Sequence, residues 1–451
     1  MTINVTLSAL ATLLACEVPE QDAVVRSAVI DSRKVQPGSL FVALSGEHVN
    51  GHDYIAQARI SGASAALVTE LQDDELPQLV VDDVVVAFGV IAAYWRQQCD
   101  VKVVAITGSN GKTTVKEMVA SILGQSHLVL ATQGNLNNEL GVPLTLCRLA
   151  ESDDFAVIEM GANHPGEIAK LVAMAQPDVA IINNVAPAHL EGFGSVEGVA
   201  NAKTEIFSTL AANGTGIFNA DMPYVDKWKQ VLADNNTVMF GFDDVADVTA
   251  QDIQLDTAAS HFMVELAGQY NYINLPLTGK HNIANALAAI AICNAFTISI
   301  EDMVKGLATM KAVPHRLQVR AAVNGSQIID DTYNANPTSY QQALASMHSF
   351  SGEHWLVLGD FGELGEESKS LHQQMGKDAK ASGIKKLFCI GDSSQFAMQA
   401  FGDGANHFED MNILQQQLQQ ELTPEITCLI KGSRFMQLDK LADMLAEQGE
   451  A

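Results

Sequence analysis

The chain has 451 residues, enough for two or three domains, and its 47% hydrophobic content with 18% charged residues excludes a largely disordered chain. Asp and Glu number 53 against 26 Lys and Arg, a net charge of −27, which leaves no broad basic face and argues against a nucleic-acid partner. Anions must then be held by local devices: glycine turns, helix N-termini, bound Mg²⁺ and a few placed cations.

Up to about Asp83 the chain shows short β-like runs, Leu40–Leu44 and Ala65–Thr69, punctuated by Gly and Pro. No Lys or Arg precedes Arg26, so no charged signal-peptide start is expected. The longest apolar run, Val84–Trp95, is too short to span a bilayer. Cys16, Cys99, Cys147, Cys293, Cys389 and Cys428 stand singly without a C-x-x-C pair, which predicts reduced, buried thiols. The expectation is a soluble, cytoplasmic protein with no membrane insertion.

A helical stretch, Val86–Gln98, leads into the apolar run Val101–Ile106 and then Thr107-Gly108-Ser109-Asn110-Gly111-Lys112-Thr113-Thr114. Strand, glycine turn, helix is the layout that cradles a nucleotide phosphate on backbone N–H groups and a helix N-terminus. Lys112 would reach the β/γ-phosphates and the Thr113 hydroxyl would ligate Mg²⁺. The usual loop pattern would want Gly at Ile106, so the spacing here is short. A bare Gly-Lys-Thr after a strand is sometimes only a helix start, which is the lesser alternative here.

Further strands are expected at Phe155–Met160, Val179–Asn184 and Gly216–Asn219, with helices at Lys112–Leu123, Gly166–Ala175 and Val196–Leu210. Continuous apolar strands separated by helices predict a parallel sheet covered on both faces, with ligands at the strands' carboxyl ends. After Val313-Pro314 the alternation restarts, with strands at Ser326–Asp331, Trp355–Gly359, Lys386–Ile390 and Thr427–Lys431, a second α/β unit.

Chemistry-bearing residues follow these strand ends. Glu159 is placed as a Mg²⁺-binding acid or as a cap of the next helix. His189, after another strand end, is a packed imidazole or a ligand, although imidazole is not a preferred partner of Mg²⁺. Lys203 lies in a helical pattern opposite Val199, Ile206 and Phe207. It is a solvated surface lysine, or, held near a metal, a neutral amine able to carry a carbamate. Thr132–Gly141 concentrates the amides Asn135, Asn137 and Asn138, and Asp330–Pro337 closes a strand with Tyr333, Asn334 and Asn336. Turn chemistry alone would also explain the second group. Lys431-Gly-Ser-Arg434 is a substrate contact or a helix start with two solvated cations.

Together these segments resemble the Mur ligases, ATP-dependent amide-forming enzymes of peptidoglycan precursor synthesis. The likeness rests on the phosphate loop with its short spacing, Glu159–His164, Ala188–Glu191, Gly279-Lys-His-Asn-Ile-Ala-Asn285 and His315-Arg-Leu317, and covers nearly the whole chain. Gly134–Pro143, His189–Ser195, Asp330–Pro337 and Gly359–Gly365 resemble members that add D-alanyl-D-alanine to UDP-N-acetylmuramoyl-tripeptide through an acyl phosphate. The resemblance implies an α/β chain of three domains: a small N-terminal UDP-sugar-binding domain (1–83), a central P-loop ATPase-like parallel-sheet domain (84–313) and a C-terminal Rossmann-like domain (314–451).

It further implies that Gly108 to Thr114 and Lys112 hold ATP, with Thr113, Glu159, His189 and a carbamylated Lys203 around one or two Mg²⁺ ions. Asn282 and Asn285 match adenine contacts, Arg316 a phosphate contact, and Asp331 a ribose contact uncertain by one position because Asp330 precedes it. Ser32 and Arg33 match the uridine-nucleotide side, while Asn135, Asn137, Asn138, Tyr333, Asn334 and Asn336 match the peptide substrates. A monomer is favoured. A nucleotide switch or motor would need an Asn-Lys-x-Asp or Leu-Ser-Gly-Gly-Gln stretch, and the sequence has neither. A folylpolyglutamate synthetase is the nearer rival.

Overall fold

The computed structural model describes residues 3–46 and 49–446. Its largest sheet has nine strands, in spatial order Gln269–Leu275, Ser260–Leu266, Val248–Leu255, Asn236–Phe240, Thr215–Asn219, Val179–Ile182, Lys102–Thr107, Phe155–Glu159 and Val129–Ala131. The last six in that order run parallel, and the first three form an antiparallel meander. Alternate residues of one strand face opposite cores. Val103 and Ala105 join the core containing Phe88, Ile91 and Leu171, while Val104 and Ile106 join the core containing Met118, Ile283 and Leu287. Both faces are therefore dry, which is why these strands read as unbroken apolar runs.

Helix Lys280–Ala295 is buried on nearly every side, from Asn282 through Cys293, and so carries little polar surface. Leu287→Ala, at a fully buried position, is expected to remove about 2–5 kcal/mol of stability. A thermal midpoint equal to that of the unaltered protein would overturn this.

A four-stranded parallel sheet, Ser27–Val29, Ser39–Val42, Ala65–Val68 and Gln78–Val80, lies toward the N-terminus. One face of it, through Leu40, Val42 and Leu67, shares the core of Phe88 and Ile91 on helix Val84–Gln98. The other face packs on Ile55 and Ala58. The third sheet orders Gln318–Ala321, Gln327–Asp331, Ile426–Lys431, Glu353–Gly359, Lys386–Ile390 and Ala405–Phe408, all parallel except the first.

Helix Lys112–Leu123 has the bounds expected from the sequence. The helix expected to reach Leu210 instead runs Val196–Thr204 and tightens to a 3₁₀ turn at Glu205–Phe207. The meander Val248–Leu255, Ser260–Leu266 and Gln269–Leu275 escaped the sequence reading. Its strands alternate buried and exposed residues at the sheet's edge, so they lack the continuous apolar runs that mark the rest. The cysteines are free, and all but Cys16 are buried; burial pushes the Cys147 and Cys428 thiols up to about 12. Among the described residues no helix is long and apolar enough to cross a membrane.

Candidate functional site

Strand Lys102–Thr107 sits between Phe155–Glu159 and Val179–Ile182, with Ile106 opposite Glu159 and Thr107 opposite Ile182. This register sets the phosphate loop, Glu159 and the segment from Asn183 to His189 side by side at three adjacent carboxyl ends. The chain crosses from one side of the first strand to the other here, the place where open α/β sheets bind ligands. A cavity of about 930 Å³ opens over it, lined from this sheet and from the C-terminal one.

The phosphate loop is held from below by amides. Asn110 N donates to Asn184 Oδ1 at 2.9 Å, and its carbonyl accepts from Asn183 Nδ2 at 2.9 Å and Asn184 Nδ2 at 3.0 Å. Ser109 Oγ donates to the Ala186 carbonyl at 3.0 Å. Gly111, the residue before the helix, has φ +79, and a Cβ there would lie 2.3 Å from Asn285 Oδ1 and 2.6 Å from Asn183 Nδ2. Those two atoms belong to a hydrogen bond of 2.9 Å that closes the loop against helix Lys280–Ala295. Gly111→Ala adds backbone strain of about 1–3 kcal/mol and parts that bond. We expect ADP affinity to fall at least roughly tenfold by calorimetric titration, and unchanged affinity would overturn the expectation.

Thr113 Oγ1 donates to Glu159 Oε2 at 2.9 Å, and Asn137 Nδ2 donates to Glu159 Oε1 at 2.8 Å. Glu159 is 2% exposed, so a dry carboxylate stands beside a hydroxyl at the loop. Lys112 Nζ donates to the Gly108 carbonyl at 2.7 Å. Burial lowers the Lys112 pKa, opposed by Glu159 and assisted by Arg316. Among the described residues no three His, Cys, Asp or Glu side chains gather to hold a metal. The Thr113–Glu159 pair still suits Mg²⁺, which binds through one or two protein oxygens together with substrate phosphates and water.

His189 lines the cavity with φ 52, and its Nδ1 meets the Glu363 carboxylate from the C-terminal sheet's side. The contact with His189 holds the Glu363 carboxyl below its ordinary value. Leu317 (φ 48) and Glu363 (φ 60) also line the cavity with left-handed backbones, each strained by about 1 kcal/mol.

Lys203 is buried, 3% exposed, where the residues alone allowed a solvated lysine. Desolvation drives its pKa well below the ordinary value, and Lys112 pushes it the same way. Among the described residues its Nζ has neither a hydrogen bond nor an ion pair.

From the C-terminal side, Arg316 Nη2 donates to Thr113 Oγ1 at 3.0 Å, and its guanidinium lies 4.1 Å over the Tyr333 ring. Arg434 lies 5.9 Å over the same ring. The two adjacent aspartates differ in their surroundings. Asp330 is fully buried and accepts from His315 Nδ1, Arg320 Nη1 and Thr332 Oγ1 at 2.9, 3.0 and 2.6 Å, whereas Asp331 lines the cavity. Lys431, taken from sequence as a substrate contact or a solvated cation, is not solvated: it is buried, paired with Asp331, and lines the cavity with Arg434.

Asn135, Asn138 and Asn334 line the cavity too. Asn138 Oδ1 already accepts from Gly141 N at 2.9 Å, holding the start of helix Gly141–Leu146. Asn282 and Asn285 lie on the first turns of helix Lys280–Ala295, and Asn282 Nδ2 donates to the Thr278 carbonyl at 2.8 Å. Ser32 and Arg33 stand apart from the cavity. Ser32 Oγ donates to Gln57 Oε1 at 3.2 Å, and Arg33 pairs with Asp31 at 2.9 Å.

Sequence reasoning did not single out Asn183 and Asn184, the loop's main props; two adjacent amides at a strand end were the available signal. It also passed over Lys116, 1% exposed, whose Nζ donates to the Thr132 carbonyl at 2.6 Å and pins the amide-rich segment to the phosphate-loop helix.

Three family models match in order: the Mur ligase catalytic domain at residues 25–102, the Mur ligase middle domain at 106–293, and the Mur ligase glutamate ligase domain at 315–434. The UDP-N-acetylmuramoyl-tripeptide–D-alanyl-D-alanine ligase of Escherichia coli K12 is 44% identical over 450 residues, 99% of each chain. The Bacillus subtilis 168 protein of the same name is 34% identical, covering 95% of this chain and 94% of its own. The crystal structure of MurF from Acinetobacter baumannii superposes with a TM-score of 0.90 at 34% identity, over 98% of this chain and 99% of that one. MurF ligase from Thermotoga maritima in complex with ADP gives 0.84 at 28% identity, over 93% and 96%. With that coverage, and with the phosphate loop, Glu159 and Arg316 gathered at one cavity, the chain belongs to the Mur ligase family.

Proposed function

We propose that the chain is an ATP-dependent amide ligase that joins D-alanyl-D-alanine to UDP-N-acetylmuramoyl-tripeptide, yielding the pentapeptide precursor of peptidoglycan, ADP and phosphate. The observation that carries this is the contact of Arg316 with Thr113 across two sheets, beside Glu159. It brings the Arg316 cation from the C-terminal side to the loop that carries Lys112.

A carboxylate is a poor acylating agent, because its oxygen does not leave. In the reaction proposed, the tripeptide carboxylate attacks the γ-phosphorus of ATP, the bond to the bridging oxygen breaks, and an acyl phosphate and ADP form. The amino group of D-alanyl-D-alanine then adds to the acyl carbon, loses a proton to water, and phosphate departs. Two anions must meet in the first step, so cations have to be supplied locally. Mg²⁺ on Thr113 and Glu159 would neutralise phosphate charge when bound. Lys112, the loop N–H groups and Arg316 would hold the transferred phosphoryl, while Asn137 keeps Glu159 turned toward Thr113.

Asp331 is assigned to the ribose, and Asn282 and Asn285 to the adenine. Asn135, Asn138, Tyr333, Asn334 and Asn336 are assigned to the peptide substrates, and Ser32 and Arg33 to the uridine nucleotide on the N-terminal sheet. The division at 1–83, 84–313 and 314–451 follows those tasks. Lys203, as a buried amine favoured in its neutral form, would react with CO₂ to a carbamate and release a proton, giving a second anionic ligand near the phosphates. His189 would face that site once freed from Glu363. The protein is taken to act as a monomer, and scattered free thiols support a cytoplasmic location.

The test is phosphate release with ATP and Mg²⁺, giving the tripeptide substrate and D-alanyl-D-alanine singly and together. Release only with both, alongside a pentapeptide product, supports the reading and lets diaminopimelate and lysine tripeptides be ranked. Steady release with neither would reduce the chain to a stand-alone nucleotidase.

A further inference from the structure

Both ends of the Asn336 amide are engaged within the protein, which points away from a contact to the peptide substrates and toward the phosphate loop. Asn336 precedes helix Pro337–Met347, and its Oδ1 accepts from Ser339 N at 2.8 Å, while Ser339 Oγ accepts from Asn336 N at 3.1 Å. A backbone N–H can only donate, so the orientation of the Asn336 amide is fixed and its Nδ2 must point the other way. There it donates to the Asn110 side chain at 2.7 Å, and that atom must be the oxygen, Oδ1. The Asn110 backbone is already clamped at both its N–H and its carbonyl. What remains free in Asn110 is the sense of its amide, two orientations that packing alone separates poorly. Its Nδ2 is shielded from solvent and has no partner among the described residues, in a loop that lines the cavity.

We propose that Asn336 is a positioning residue for the nucleotide. By donating to Asn110 Oδ1 it leaves the Asn110 Nδ2 as the free end of the amide. That donor is held for a phosphate oxygen, which reaches it once the nucleotide displaces what now covers it, and only while the C-terminal sheet is docked on the phosphate loop. Phosphate oxygens only accept, and an amide turned the other way would offer them its carbonyl instead. A shielded N–H without a partner is unfavourable, so a bound phosphate also stabilises the docked arrangement. The inference rests on the ATP-binding reading above.

The test is a double-variant cycle with Asn336→Ser, Asn110→Ser and both together. Affinity for a non-hydrolysable ATP analogue with Mg²⁺ would be followed by calorimetry, together with the KM values and kcat. Serine caps a helix about as well as asparagine, so the thermal midpoint of Asn336→Ser should stay unchanged. Its affinity for the analogue should fall about tenfold to a hundredfold, the range for one hydrogen bond to a charged group. The double variant should bind no more weakly than Asn110→Ser alone. Asn336→Asp keeps the cap but draws the Asn110 N–H to its own carboxylate, and it should bind more weakly than Asn336→Ser.

Losses that multiply in the double variant would overturn the proposal. So would a change confined to the KM for the tripeptide substrate, or a lowered midpoint with no loss of analogue affinity. Wild-type phosphate release without peptide substrates would fail the ligase reading instead, and the analogue titrations do not depend on that result.

Discussion

Glu159→Gln should lower substrate-dependent phosphate release by about a hundredfold to a thousandfold, the range for removing one preorganised electrostatic group. The two carboxylate oxygens accept from different donors, Thr113 Oγ1 at 2.9 Å and Asn137 Nδ2 at 2.8 Å. Glutamine has the same shape but only one accepting end, so its NH₂ must face either the threonine hydroxyl or the asparagine amide. If it faces Asn137, two donors meet in a dry site. If it faces Thr113, the oxygen that would face a bound cation is replaced by an N–H donor.

The charge is lost in both cases, and Lys112 and Arg316 then stand beside the site without an anion to balance them. Phosphate release should therefore need a much higher Mg²⁺ concentration, while the thermal midpoint falls little, because one buried hydrogen bond is at stake. A Mg²⁺ dependence equal to wild type would remove Glu159 from the metal.

Lys203→Ala should nearly abolish turnover without unfolding the protein. An amine this deep, with no ion pair among the described residues and with Lys112 for a neighbour, contributes nothing to stability by its charge. Removing it opens a space beside the phosphate loop. If the working form is the carbamate, formate or acetate supplied at millimolar concentration (about the affinity expected of so small an anion) should enter that space and restore part of the activity.

Lys203→Met is the control, because its side chain fills the same volume and should be equally inactive but resist rescue. Absence of rescue in the alanine variant would count against the carbamate and leave the lysine itself in place. A ¹³C signal gained by wild type from labelled bicarbonate, and missing from Lys203→Met, would locate the modification without any turnover being measured.

How far the sequence reached differs from element to element. Helix Lys112–Leu123 and strand Lys386–Ile390 were legible to the residue, because a glycine turn opens the first and an unbroken apolar run makes the second. Strands Val129–Ala131 and Ala405–Phe408, short and at a sheet's edge, and Asn236–Phe240, inside its sheet but partly exposed along its length, were missed. Asp330 and Asp331 are the plainest case of what one dimension hides. Neighbours along a strand point to opposite faces, so one of the pair meets His315 and Arg320 and the other faces the cavity. Which is which depends on the face toward the phosphate loop.

The sequence alone determined the fold class, the strand–glycine-turn–helix at Thr107–Thr114 and the polar side chains that follow the strand ends. These are local matters, settled by apolar periodicity, by where glycine permits a turn, and by which side chains follow. Only the tertiary structure decided that Lys203 is buried, that Lys431 pairs with Asp331, that His189 meets Glu363, and that Arg316 and Asn336 reach Thr113 and Asn110 from another sheet. Those facts depend on how separate units pack together. Burial and long-range pairing are properties of that packing, and no spacing along the chain records them.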